Sequence, residues 1–122
     1  MTLERQALGK AGENRAEREL CRCGYAILAR RYRTAHGEID LIARDGEAIV
    51  FVEVKARMTA EFGSAAEAVT AAKQRRLVAM ATDYLVRHRL TERPCRFDVV
   101  ALDLASDDAG AQVTIYRNAF DA

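Results

Sequence analysis

Hydrophobic and polar positions follow two different periods along this chain, and they divide it into seven segments. Residues 8 to 23 carry Ala16, Leu20 and Cys23 at i, i+4 and i+7, which predicts a helix with one apolar stripe. Gly24 stands where such a helix should end. Tyr25 to Tyr32 alternates as a strand, Ala26 and Leu28 on one face and Ile27 and Ala29 on the other. Gly37 to Arg57, GEIDLIARDGEAIVFVEVKAR, predicts two more strands joined by a tight turn at Asp45-Gly46. Met58 to Ser64 is expected to be a loop. Thr70 is placed to cap a helix running to about Arg89, with Leu77, Met80, Ala81, Tyr84 and Leu85 as its stripe. Pro94 breaks the pattern, and Phe97 to Leu104 alternates again, Phe97, Val99 and Ala101 against Asp98, Val100 and Leu102. Ser106 to Gly110 predicts a turn and Gln112 to Tyr116 a last short strand, after which Tyr116 to Phe120 should dock on the core. The order α-β-β-β-α-β-β predicts an α/β fold, a central mixed sheet flanked by helices, in one domain spanning the 122 residues.

Charges interrupt this pattern where a strand should bury apolar groups. Asp40 lies between Ile39 and Leu41, and Glu53 and Lys55 break the run Ile49 to Val54. Ionised groups are seldom placed in such strands unless they are paired or hold a metal. Glu53 and Lys55 share a face with Ile49 and Phe51, and Val50, Val52 and Val54 line the other. With Arg44 and Glu47 flanking the turn, Asp40 falls opposite Phe51 and diagonal to Glu53 on the same face. Diagonal neighbours are about 7–8 Å apart, close enough for two carboxylates to share a cation. Glu13, three residues before Ala16, adds an acid to the stripe of the first helix. Lys73 and Gln74 lie one turn before Leu77 on the stripe of the second, pointing towards the sheet. A donor set of carboxylate oxygens favours magnesium or manganese over zinc. Lys55 is placed to orient an attacking water or to stabilise charge in the transition state.

Composition narrows the setting. Half of the residues are hydrophobic, enough for a folded core. There is no apolar run of membrane-spanning length, and the N-terminus has no apolar signal-peptide centre, so the chain is expected in the cytoplasm. Cys21, Cys23 and Cys95 read as reduced thiols, and their spacing with His36 or His88 matches no common zinc motif. The net charge of +1 gives no general attraction to nucleic acid. Basic residues are nevertheless clustered around the acids: Arg30, Arg31 and Arg33 before the first acidic strand, Arg57 after the second, and Lys73, Arg75 and Arg76 at the start of the second helix. Such a rim suits a phosphate backbone crossing a metal site.

These motifs together resemble the uncharacterised YraN-like family of bacterial proteins, within the PD-(D/E)xK restriction-endonuclease-like superfamily. The resemblance runs through Gly9-x-x-Gly12-Glu13, Gly37-Glu38-Ile39-Asp40-Leu41-Ile42 and Phe51-Val52-Glu53-Val54-Lys55-x-Arg57. It continues through Phe62-Gly63, Lys73-Gln74-x-Arg76-Leu77, Arg96-Phe97-Asp98-Val99-Val100 and Asn118-Ala119-Phe120. It implies a restriction-endonuclease-like αβββαβ core similar to archaeal Holliday-junction resolvases. It also implies a nuclease centre in which a helix Glu, a strand Asp and a Glu-x-Lys map to Glu13, Asp40, Glu53 and Lys55. Gln74 resembles the helical Gln of several branches. The sequence departs from the pattern at Ile39, where the motif has Pro, and at Val78, where some branches carry an aromatic residue.

Three readings follow. One is a Mg2+- or Mn2+-dependent endonuclease acting on branched or structured DNA. Asp40 and Glu53 would hold the metal, Glu13 would assist through water, and Arg57, Lys73 and Arg76 would hold phosphates. Another is a nucleic-acid-binding module on a nuclease scaffold, for which the small surface of one subunit makes a homodimer a candidate arrangement. The third is an interaction module with a vestigial pocket, disfavoured because the acid, acid and lysine set is intact.

Overall fold

The computed structural model describes the backbone of residues 3–57, 69–103 and 112–120, and the side chains within those segments from residue 11 on, except that of Arg57. Helix α1 spans Leu3–Arg22, strand β1 Ala26–Thr34, β2 Gly37–Asp45, β3 Ala48–Arg57, helix α2 Ala71–Arg87, β4 Cys95–Asp103 and β5 Gln112–Tyr116. The predicted order is the observed one. The loop expected at Met58 to Ser64 and the turn expected at Ser106 to Gly110 lie outside the described residues.

The five strands among the described residues form one open sheet in sequence order, β1-β2-β3-β4-β5. Only β3 and β4 run parallel, and the other pairs are antiparallel. A parallel pair needs a long crossover, and α2 lies within it. The sheet is buried on both faces. Ala16 and Leu20 of α1 cover Leu41, Ala43, Val50, Val52 and Val100. Leu77, Met80, Ala81 and Tyr84 of α2 cover Ile39, Ile42, Phe51, Phe97, Val99 and Ala101. Strict alternation along β3 and β4 produces this division. Close approach of α1 depends on Gly12, where an added Cβ would stand 3.0 Å from Leu102 Cδ1.

Several boundaries differ from the sequence reading. Helix α1 begins at Leu3, because residues 3 to 8 are good helix formers. Its stripe ends at Leu20; Cys23 is exposed, because the helix has stopped one residue earlier. Strand β1 slips register between Ile27 and Ala29, which sends Leu28 outward. Ile27 therefore packs beside α1 and Ala29 beside α2, not on one face as expected. The hairpin pairs Asp45 with Ala48, so its two-residue loop is Gly46-Glu47. Gly46 carries φ +60°, which only glycine adopts freely, and this sets the turn one residue later than expected. Beyond β5, Ala119 N–H donates to Phe97 O at 2.7 Å and Phe120 stacks on Phe97 at 4.8 Å, so the C-terminal segment docks on its own core.

Candidate functional site

Moving the turn by one residue shifts the β2–β3 register by two, which preserves faces but changes partners. The ladder ends at Leu41 opposite Val52. Continued by one step, that register sets Asp40 directly across from Glu53 rather than diagonal to it. There the ladder gives way to a side chain: Val54 N–H donates to Asp40 Oδ2 at 2.8 Å. The other neighbour of Asp40 is also irregular. Arg31 lies across from it on β1 and has a left-handed backbone, φ 50°. Non-glycine residues seldom adopt this conformation in a strand. Packing alternation slips at the same level, since Ile39 and Ile42 pack beside α2 while Leu41 and Ala43 pack beside α1. Asp40 thus sits at a discontinuity of the sheet.

Glu53 is buried, with a side chain 9% exposed, on the α2 face beside Phe51 and opposite Val99 of β4. Lys73 Nζ, from the first turn of α2, pairs with Glu53 Oε1. Asp40 has no ion pair among the described residues. Its carboxyl is raised from 3.8 to about 7, first by burial and then by repulsion from Glu53. The Val54 hydrogen bond and Lys73 oppose that rise, and Glu13 adds to it. Two acids therefore interact in a partly dry setting with one ammonium, which is paired to Glu53, an arrangement a divalent cation would relieve.

The remaining predicted residues occupy distinct places. Glu13 accepts from Arg31 Nε at 2.8 Å, and Glu17 one turn later accepts from Arg30, so both acids clamp α1 to β1. Glu13 is thereby held by an arginine, and among the described residues no three His, Cys, Asp or Glu side chains converge as a ready metal cage. Lys55 is half-buried on the face of Glu53, opposite Ala101, and has no ion pair among the described residues. Gln74 Nε2 donates to Val69 O at 3.0 Å and so fastens the start of α2. Thr70 Oγ1 caps that helix by accepting from Lys73 N at 3.2 Å. Arg76 lines a cleft of about 210 Å³ with His36, Glu38, Lys73, Leu77 and Met80. The side chain of Arg57 lies outside the described residues. Cys21, Cys23 and Cys95 are exposed free thiols.

Two features escaped the sequence reading. Lys73, expected on phosphates, sits on Glu53; its place on the α2 stripe, one turn before Leu77, is the available signal. Nothing in the sequence marked Arg31 as left-handed.

The uncharacterised protein family UPF0102 matches residues 12–102, a span holding every residue named above for the acidic site. The chain belongs to this family. A UPF0102 protein of Symbiobacterium thermophilum is 49% identical over 115 residues, covering 94% of this chain and 97% of the relative. One of Ralstonia pickettii is 50% identical over 118 residues, covering 93% and 90%. One of Moorella thermoacetica is 43% identical over 120 residues, covering 98% and 100%. As a UPF0102 protein the chain has the YraN-like membership its motifs suggested. No helix among the described residues is long and apolar enough to cross a membrane.

Proposed function

We propose that this protein is a divalent-metal-dependent endonuclease hydrolysing phosphodiester bonds in DNA, with branched or structured DNA as the substrate class. The observation that carries the reading is the meeting of Asp40 and Glu53 where the β2–β3 ladder ends. Their oxygens suit magnesium or manganese. Such an ion would supply Lewis acidity at the phosphoryl group and acidify the attacking water. Asp40 and Glu53 hold the reacting centre at the sheet end, the former fixed by Val54 N–H. Lys55, on the same face, orients the water and stabilises charge developing on the phosphoryl oxygens. Arg76 and His36 in the adjoining cleft meet the backbone phosphates.

The alternative is a nucleic-acid-binding module without cleavage. The hold of Arg31 on Glu13 favours it, because one acid is drawn away from the pair.

A panel of linear, flapped and four-way DNA with Mg2+ or Mn2+ separates the two. Cleavage by the native chain, reduced about 10²–10³-fold in Glu53→Gln, supports the nuclease. Equal cleavage by both proteins assigns the activity to a contaminant and sinks the catalytic reading. Binding that persists without cleavage supports the module. In parallel, Mn2+ should raise the melting temperature, and Asp40→Asn should abolish that rise.

A further inference from the structure

Glu53 is nearly dry, and its ion pair is with a residue from another element. Lys73 reaches it from the first turn of α2 with a side chain 33% exposed, so one end of the pair is buried and the other is open to solvent. The backbone of Lys73 is held separately, by the Thr70 cap. Its side chain can therefore leave without unwinding the helix. Lysine suits departure, since its ammonium is a compact charge on a flexible stem and keeps its hydration near the surface. Lys73 also lines the open cleft with Arg76, so a route out exists.

We infer that Lys73 is a tethered counter-ion, occupying the cation position on Glu53 until a divalent ion displaces it. The inference rests on the reading of Asp40 and Glu53 as a metal site. An ammonium and a divalent cation on the same carboxylate would repel at contact distance, and the repulsion is strong in a partly dry site. Binding of the ion and pairing of Lys73 are therefore competitive, and Lys73 sets the metal affinity. This makes it a positioning residue, distinct from the phosphate-binding role its basic character suggests.

The test is a calorimetric titration of the metal-stripped full chain with Mn2+ alone, at fixed pH and ionic strength. Lys73→Met should bind about tenfold more tightly than the native chain, as expected from loss of a close charge pair. Lys73→Arg, which keeps the counter-ion, should bind no more tightly than native. Lys55→Met serves as a comparator, because it removes a charge from the same face without removing an ion pair. Equal tightening in Lys73→Met and Lys55→Met reduces the effect to general charge and overturns the inference, as does an unchanged Kd in Lys73→Met. If neither the native chain nor Lys73→Met binds Mn2+, the metal site itself fails, and the inference with it. A second measurement needs no variant: saturation with Mg2+ should move the Lys73 ammonium resonance of the native protein to the position of a free lysine. An unmoved resonance in protein that binds Mg2+ shows that no displacement occurs.

Discussion

Asp98 on β4 and Glu53 on β3 are both buried acids, and the two faces of the sheet treat them in opposite ways. Asp98 is 1% exposed and accepts four hydrogen bonds. Tyr25 OH donates at 2.7 Å, Arg96 Nε and a terminal nitrogen at 2.9 and 3.0 Å, and Asn118 N–H at 2.9 Å. Arg96 also reaches Asp45 at 3.0 Å and lies over the Tyr25 ring. Every oxygen of Asp98 is thus used by the protein itself. Burial, with the Asp98 hydrogen bond second, pushes the Tyr25 phenol up to about 12, so it stays a donor across the physiological range. The network ties the chain after α1, the end of β2, strand β4 and the C-terminal segment together. Elsewhere in the sheet, Asp40 has one backbone N–H and Glu53 one ammonium among the described residues. A carboxylate with all its lone pairs occupied contributes to the fold, whereas a pair left under-satisfied costs stability, and the proposed function gives that cost a use as a cation site.

This contrast can be broken by experiment. The largest effect should come from Asp98→Ala, which leaves Arg96 without its main partner and should destabilise by about 3–5 kcal/mol in urea unfolding. Glu53→Gln should change metal-free stability by less than about 1 kcal/mol, because Lys73 can return to water. A comparable loss in both variants would erase the distinction between the two acids.

An effect smaller than that of Asp98→Ala, and of opposite sign, is expected at Asp40. Its carboxyl titrates higher in the folded chain than in the unfolded one, so the folded state binds the proton more tightly between pH 3.8 and about 7. Its contribution to stability therefore declines as pH rises through that window, and levels off above it. Asp40→Asn should flatten this slope and, in chelator at pH 8, stabilise the protein by about 2 kcal/mol. Thermal melts from pH 4 to pH 8 measure it, and a variant less stable than native at pH 8 would mean that the carboxylates are not in conflict. Tyr25→Phe should cost about 1 kcal/mol, because Arg96 and Asn118 still serve Asp98. A loss as large as that of Asp98→Ala would make Tyr25 the keystone of the network.

Most of the fold was legible because local rules governed it. Period-two alternation in β3 and β4 sorted Phe51 and Phe97 from Val52 and Val100 without reference to other residues. Thr70 and Gly24 marked helix ends by the same kind of local chemistry. The candidate site was legible as anomalies, Asp40, Glu53 and Lys55 in otherwise apolar strands. Asp98 was an equal anomaly in the run Phe97 to Leu102, and its role could not be read, since its partners come from residues 25, 96 and 118.

The sequence by itself therefore determined which residues are apolar on which period, and so the elements, their order and the face each side chain takes within a regular strand. Tertiary structure decided what the short-range code does not carry. The turn settled one residue later at Gly46, setting Asp40 directly against Glu53. The slips at Leu28 and Arg31 sent residues two apart, Ile27 and Ala29 and likewise Ile39 and Leu41, to opposite faces, and Glu13 went to Arg31 and Lys73 to Glu53. The physical reason is that alternation depends on adjacent residues alone. The partner of a charge depends on which distant elements the packing brings within reach.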